Sequence, residues 1–454
     1  MKYNRFTFHV SRRQIALLVS LSALTALTAL GCGDGEPLGS GGQGGNGLTG
    51  ASSTAAGTSS GSGQGGQGGA SATTLEGILA ELRKDLPGTM TKYAASDGWP
   101  VHVEGKYLFV STSQTLTMLA GDHNGWAGAT MTTDAGFSWT FIDVPLGDLY
   151  KLTDGSTYEA DPWARSYNYD GNGEISMVLP SKAHLDRFFG ISDANMPPRD
   201  INVWVPEGTP THVLYAHDGQ NLFNPQAAFG GWMVQDSVPL AMMIVGIDNT
   251  GNGRMDEYTH VTDLYDLDGN GTLDPWGGKG DQYADFINGT VRNLIKNQYG
   301  EPAKIGTMGS SLGGLIAFHI ADRFPGEYLY AASLSGTMGW GSMDPTSHNE
   351  TMIERYKAHG HQATVLYLDA GGGDPALTQA ANESQCKDAD NDGIKDDFEI
   401  GDNACENAQM RDTLKTVGYT VGTDVFHWWE AGGQHNEAEW RARVFRPLDL
   451  FGSL

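Results

Sequence analysis

The chain has 454 residues, enough for two folded units plus tails and for a sizeable buried core. Its 28 basic and 54 acidic side chains give a formal net charge of −26, and no concentrated basic face is visible, which argues against a nucleic-acid partner. Many carboxylates fall in Asp/Asn/Gly clusters of the kind that bind calcium, and the rest read as a solvated surface.

Lys2, Arg5, Arg12 and Arg13 precede an apolar run from Ile15 to Leu30 and then Gly31-Cys32, the layout of an export signal over residues 1–32. The run is too short for a comfortable membrane span. Ala29-Leu30-Gly31-Cys32 resembles a bacterial lipoprotein cleavage box, with Ala29 where leucine is usual. That resemblance implies a lipid on Cys32 and anchoring to the cell envelope; an ordinary signal peptide would instead release a secreted protein. Residues 33–73 are nearly all Gly, Ser, Gln, Thr and Ala, too poor in apolar side chains to fold, and read as a flexible tether. Within 74–97, Leu75, Ile78, Leu79 and Leu82 fall at helical spacing, and the pattern stops at Pro87-Gly88, predicting one short amphipathic helix.

Over 98–185 short alternating runs such as Tyr107-Leu108-Phe109-Val110 and Phe137-Ser138-Trp139-Thr140-Phe141, separated by Gly and Asp turns, predict a small antiparallel β-sandwich. Gly121-Asp122-His123-Asn124-Gly125-Trp126, Tyr150-Lys151 and Asp161-Pro162 resemble the immunoglobulin-like modules that precede glycogen-branching and enterochelin-esterase-type catalytic domains. The resemblance implies a buttress for the catalytic domain, with glycan contact as the other role. Trp126 and Trp139 fit core packing as well as sugar platforms. Asp170-Gly171-Asn172-Gly173 reads as a turn.

Strands and helices alternate over 195–454. Ile201–Val205, Val213–Ala216, Ala241–Ile247, Lys304–Met308, Thr364–Leu368 and Asp424–Trp429 are β-rich, with helical stretches at Gln282–Gln298 and Gly314–Arg323. The expected fold class is therefore α/β, a mostly parallel sheet with helices on both faces, preceded by the small all-β sandwich.

Gly309-Ser310-Ser311-Leu312-Gly313 lies between a strand and a helix, the context of a nucleophile elbow. The tight turn demands glycine on either side and pushes Ser311 forward as the nucleophile, while Ser310 is out of register and structural. Serine needs a base, and the base needs a group that fixes its tautomer. His435, in the loop Gly432-Gly433-Gln434-His435-Asn436, follows the last strand and is the expected base; its competitor His427 sits inside that strand. Asp369, at the end of the strand Thr364–Leu368, and Asp374, in the glycine-rich loop beyond it, both qualify as the acid. The tetrahedral intermediate needs two amide donors, one of them from Leu312.

Tyr215-Ala216-His217-Asp218-Gly219-Gln220-Asn221-Leu222-Phe223, the serine elbow, and Gly433-Gln434-His435 with Trp440-Arg441 resemble the enterochelin and feruloyl esterase family of α/β-hydrolases, over Arg199–Phe451. The resemblance implies Asp374 as the acid and Gln220 as the second oxyanion donor, with His217-Asp218 in place of the His-Gly seen in some relatives. Arg254 and Glu257-Tyr258 resemble a further family segment near the cleft, and an ion pair holding a loop explains them equally well.

Asp388, Asp390, Asp392, Ile394, Asp396 and Glu399 occupy positions 1, 3, 5, 7, 9 and 12 of a calcium loop, with Gly393 at position 6. Asp266, Asp268, Asn270, Gly271, Thr272 and Asp274 make a second, incomplete loop, with Gly277 at position 12. With Cys32 lipidated, Cys386 and Cys405 remain as a pair that brackets the complete loop inside an insertion over 383–407. A bond between them would stabilise that insertion by about 3 kcal/mol. Calcium here would be structural, since a serine triad needs no metal or other cofactor. The sequence thus points to an exported serine esterase acting on a small-molecule or glycan-linked ester. An acyltransferase of the same fold, such as a mycolyltransferase, and a surface glycan-binding lipoprotein with a vestigial hydrolase domain are the other readings.

Overall fold

The computed structural model describes residues 74–454 except Leu240, Asp268, Pro345, Thr346, Glu399 and Ile400. The export signal, the tether, Cys32 and the calcium-loop position Glu399 lie outside the described residues. Among the described residues no helix is long and apolar enough to cross a membrane.

Two helices, Leu75–Lys84 and Leu86–Ala95, stand where the sequence predicts one. Pro87 does not end the helical segment. It occupies the first turn of the second helix, where its missing N–H is one that no intrahelical carbonyl would have met, and Asp85 Oδ1 accepts from Gly88 N at 3.0 Å to cap that turn. Ile78, Leu79, Leu82 and Met90 bury themselves against Trp99, Val101, Leu108 and Val110.

Val101, Leu108 and Val110 belong to an antiparallel sheet in which Lys106–Ser111 lies between Val101–Val103 and Phe137–Ile142, with Thr132–Asp134 at the edge. Its other face meets a second sheet across a core where Phe109 and Tyr150 pack edge to face, ring centroids 5.0 Å apart. Asp170 and Gly173 close a hairpin between Ser166–Asp170 and Gly173–Met177. Trp126 and Trp139 are both half-buried.

The second sheet does not stop at the expected boundary between residues 185 and 195. His184–Ile191 pairs antiparallel with Ser166–Asp170 on one side and with Arg199–Val205 on the other, so the sandwich and the α/β region share one continuous 15-stranded sheet. Beyond Arg199–Val205, which is antiparallel to its neighbour, come five parallel strands. In spatial order these are Met242–Ile247, His212–His217, Lys304–Ser310, Tyr330–Leu334 and Val365–Gly372, and Val425–Ala431 adds a sixth beside the last. Alternation along a strand sends successive side chains to opposite faces: Val213 and Tyr215 join the core with Leu315 and Phe318, while Leu214 and Ala216 join the core with Trp440 and Leu448. Both faces are therefore dry, and only the strand ends are left to carry polar chemistry. The α/β-hydrolase expectation describes this region.

Candidate active site

The strand Lys304–Ser310 runs straight into the helix Leu312–Arg323, and the whole change of direction falls on Ser311. Its backbone takes φ 55° and ψ −127°, a conformation a side-chain-bearing residue adopts only when its surroundings force it. Two close approaches do so. A Cβ on Gly309 would lie 2.4 Å from the carbonyl oxygen of Gly313, and one on Gly314 would lie 2.3 Å from Ser333 Oγ. Ser311 N donates to Leu334 O at 2.9 Å, which pins the turn to the neighbouring strand. Leu312 opens the helix, where a first-turn amide has no intrahelical carbonyl to meet.

The loop after His212–His217 closes over the elbow. Asp218 sits in the left-handed region at φ 61°, and its Oδ2 would be 3.2 Å from a Cβ on Gly313. Arg254 grips it with two bonds, Nε to Oδ1 at 2.8 Å and Nη2 to Oδ2 at 2.7 Å. Burial alone would raise the Asp218 carboxyl, but Arg254 holds it below the usual carboxylate range. The segment Arg254–Glu257 thus holds a loop, and Glu257 does the same for the catalytic sheet by pairing with buried Arg199 at 2.9 Å. His217, fully buried between Tyr283 and Thr307, is pushed down to about 3 by desolvation and stays neutral. Gln220 lies in the short turn Gly219–Asn221, tied down where its Oε1 accepts from Asn249 N at 3.2 Å.

His435 Nδ1 bonds to Asp402 Oδ1 at 2.7 Å, and both side chains are buried. Asp402 was not among the expected acids. Asp374 is exposed instead, and its Oδ1 accepts from Ala376 N at 2.8 Å, capping a surface turn rather than meeting His435. The geometry corrects that assignment: Asp402, not Asp374, faces the imidazole. Asp369 is also buried but engages Arg443 Nε at 2.9 Å and Tyr367 Oη at 3.0 Å.

Asp402 is held from every side. Its Oδ2 accepts from Gly371 N, from Ser335 Oγ and from Arg443 Nη2, each at 2.7 Å. Complete burial would raise the carboxyl, yet Arg443 and His435 hold it below its ordinary value. Asp369, on the other side of the same guanidinium, is carried up to about 6 by burial. Because Asp402 accepts at Nδ1, His435 presents Nε2 as the acceptor. That Nε2 and Ser311 Oγ are both buried and have no hydrogen-bond partner among the described residues. Glu437, two residues on, is bonded to Asn221 Nδ2 at 3.2 Å and is raised by burial. The competitor His427 instead meets Arg411 and Gln379 and is pushed down to about 4 by burial.

Asp402 is delivered by the insertion. Cys386 and Cys405 are bonded, as the sequence predicts, and the loop they close contains both the calcium-type sequence and Asp402. Buried Asp397 accepts from Asn403 N at 2.7 Å and from Cys405 N at 3.2 Å, bracing the residues that follow Asp402. Within the calcium-type sequence, carboxylate oxygens of Asp388, Asp390 and Asp392 lie within 4.8 Å of one another. Asp388 Oδ2 accepts from Gly393 N at 3.0 Å, the bend that position 6 requires, so the described part of the donor set fits a hard cation. Ile394 turns its side chain into the core, which leaves a carbonyl as its only donor, and Asp396 Oδ2 accepts from Ala389 N at 2.7 Å. In the incomplete second loop, Asp266 accepts from Asn270 N and Gly271 N.

A strained serine between a parallel strand and a helix, with a buried histidine–carboxylate pair on the loops beside it, defines a hydrolase-type α/β enzyme domain. The chain belongs to the esterase family described as Putative esterase, which matches residues 194–449. An uncharacterized Bacillus subtilis protein, YbbA, is 28% identical over 141 residues, 30% of this chain and 54% of that one. The chain thus spans about half the length of this curated relative. An IroE-like serine hydrolase from Shewanella oneidensis superposes with a TM-score of 0.43 at 19% identity, covering 59% of this chain and 80% of that one. The enterobactin esterase FES from Shigella flexneri does so with a TM-score of 0.40 at 13% identity, covering 77% and 93%.

Proposed function

We propose that the protein hydrolyses carboxylic esters through an acyl-enzyme formed on Ser311, with His435 as base and Asp402 as the group that holds it. The observation that carries this reading is the 2.7 Å bond from His435 Nδ1 to Asp402, which leaves Nε2 as the acceptor, while Ser311 Oγ lies buried with no partner among the described residues. Ser311 Oγ attacks the ester carbonyl carbon as Nε2 takes its proton, and Asp402 stabilises the imidazolium that results. The oxyanion is met by the amides of Leu312 and Gln220. Collapse breaks the bond to the alcohol oxygen, which leaves with the proton from Nε2. Water then repeats the sequence on the acyl-enzyme and releases the acid. No cofactor enters these steps.

Calcium belongs to the scaffold in this reading. Asp388, Asp390, Asp392 and Asp396, with the carbonyl of Ile394, would hold it, and Glu399 completes the sequence pattern. The ion would supply charge balance to a loop rich in carboxylates, which in turn fixes Asp402. At one hundred times its dissociation constant it would stabilise the fold by about 2.7 kcal/mol. The Gly31-Cys32 sequence supports export with a lipid on Cys32, and a small-molecule ester is the substrate class.

The test is the initial rate of the full chain on 4-nitrophenyl esters of increasing acyl length, beside Ser311→Ala. Turnover that falls by about a millionfold in the variant supports the reading, and equal rates in both proteins overturn it.

A further inference from the structure

A cavity of about 250 Å³ opens where the sandwich meets the catalytic sheet. Tyr167 and Tyr169 line it from the sandwich, and Asp200, Gln220, Phe223 and Asp248 line it from the catalytic region. It lies at the same edge of the sheet as Ser311: Asp248 follows the strand Met242–Ile247, and Gln220 follows the strand His212–His217. One loop joins the two places. A Cβ on Gly219 would be 2.6 Å from Asp248 Oδ1, while Asp218, one residue earlier, reaches Gly313 of the elbow.

The charges of this cavity do not balance. Arg187 also reaches it, but its guanidinium donates to Glu174 and lies over the Tyr167 ring, 3.8 Å from the centroid. Asp200 and Asp248 are left without a counter-cation. Asp200 Oδ1 accepts only from Gly190 N at 2.9 Å, and Asp248 Oδ1 only from Asn202 Nδ2 at 3.1 Å; among the described residues neither carboxylate has a basic side chain within 4.0 Å. Burial and the neighbouring Asp200 charge drive Asp248 up to about 8. Two carboxyls with no basic side chain in contact, and an aromatic ring beside them, suit an ammonium ion. A bound cation would favour loss of the Asp248 proton, which a neutral polyol would not do.

We propose that this cavity binds an organic ammonium group carried by the substrate, with the carboxyls of Asp200 and Asp248 as its partners and Tyr169 as part of its aromatic wall. The word substrate rests on the ester-hydrolase reading; the binding chemistry does not. The experiment is calorimetric titration of the full chain with choline and with 3,3-dimethylbutan-1-ol, which has the same shape without the charge. Choline should bind at least about tenfold more tightly, one factor of ten being 1.4 kcal/mol. In Asp200→Asn/Asp248→Asn that ratio should fall to near one, with Asp200→Asn alone as the comparison if the double variant does not fold. Equal affinity of the two probes, no choline binding, or a preference that survives in the variants overturns the proposal. Turnover of 4-nitrophenyl acetate, which carries no ammonium, is measured on the same protein: its absence would count against the esterase reading and leave the choline result standing.

Discussion

Ser311 and Asp402 are held by two different kinds of structure. The serine sits on a turn enforced by its own neighbours: a parallel strand, a helix, and two glycines whose hydrogens are all the space allows. The carboxylate rides on an insertion with few apolar contacts of its own, fixed by a disulfide, by Arg443, by Ser335 Oγ and by the Gly371 amide. The difference shows that sequence-local contacts can place the serine while long-range polar contacts place the carboxylate. Each half should therefore fail in its own way.

The largest effect is expected at Arg443. Arg443→Ala leaves Asp369 and Asp402 buried without their shared cation, and stability measured by urea unfolding should drop by about 3–5 kcal/mol. Replacing Cys386 and Cys405 together by serine should cost about 3 kcal/mol and lower kcat as well, because Asp402 lies inside the loop that the bond closes; an unchanged kcat would mean that the acid is placed without the disulfide. On the other side of the comparison, Gly309→Ala drives a methyl into the Gly313 backbone and should cost about 1–3 kcal/mol while leaving the Asp402–His435 contact intact.

The smallest effect is a pH slope. Burial raises Asp397 from an ordinary 3.8 to about 6. A carboxyl raised on folding contributes stability that is complete below its unfolded value and lost as pH climbs through its folded one. Its contribution therefore falls between about pH 4 and pH 6. Asp397→Asn should flatten the measured stability over that interval, and an unchanged slope would place Asp397 in contact with solvent or a cation.

The same division decided what the sequence made legible. The elbow was readable because its requirements are local: a β-rich run, Gly-x-Ser-x-Gly, then a helix. His435 was readable because it follows the last strand in a glycine-bounded loop. The strand Tyr330–Leu334, built from Tyr-Ala-Ala-Ser-Leu, offered few β-branched residues and was missed; its burial on both faces, not its propensity, makes it a strand. Pro87 reads as a stop but stands in the first turn of a helix, because the sequence does not say on which side of Asp85 the chain turns. Asp402 was missed for a deeper reason. Nothing local marks it: it stands in Gly401-Asp402-Asn403 beyond the calcium spacing, and it becomes the partner of His435 only because the Cys386–Cys405 bond and Arg443 fold that segment back beside the strand Val365–Gly372. One hint was available, since Asp402 is a carboxylate that the twelve-position pattern leaves unused.

The central claim is that the acid comes from the insertion, and the direct measurement is kcat of Asp402→Asn beside Asp374→Asn on the same 4-nitrophenyl ester. Loss of about 10⁴-fold in the first, with the second staying within about twofold of the unmodified protein as expected of an exposed capping residue, is the predicted result. A collapse of Asp374→Asn with near-normal turnover by Asp402→Asn would contradict it.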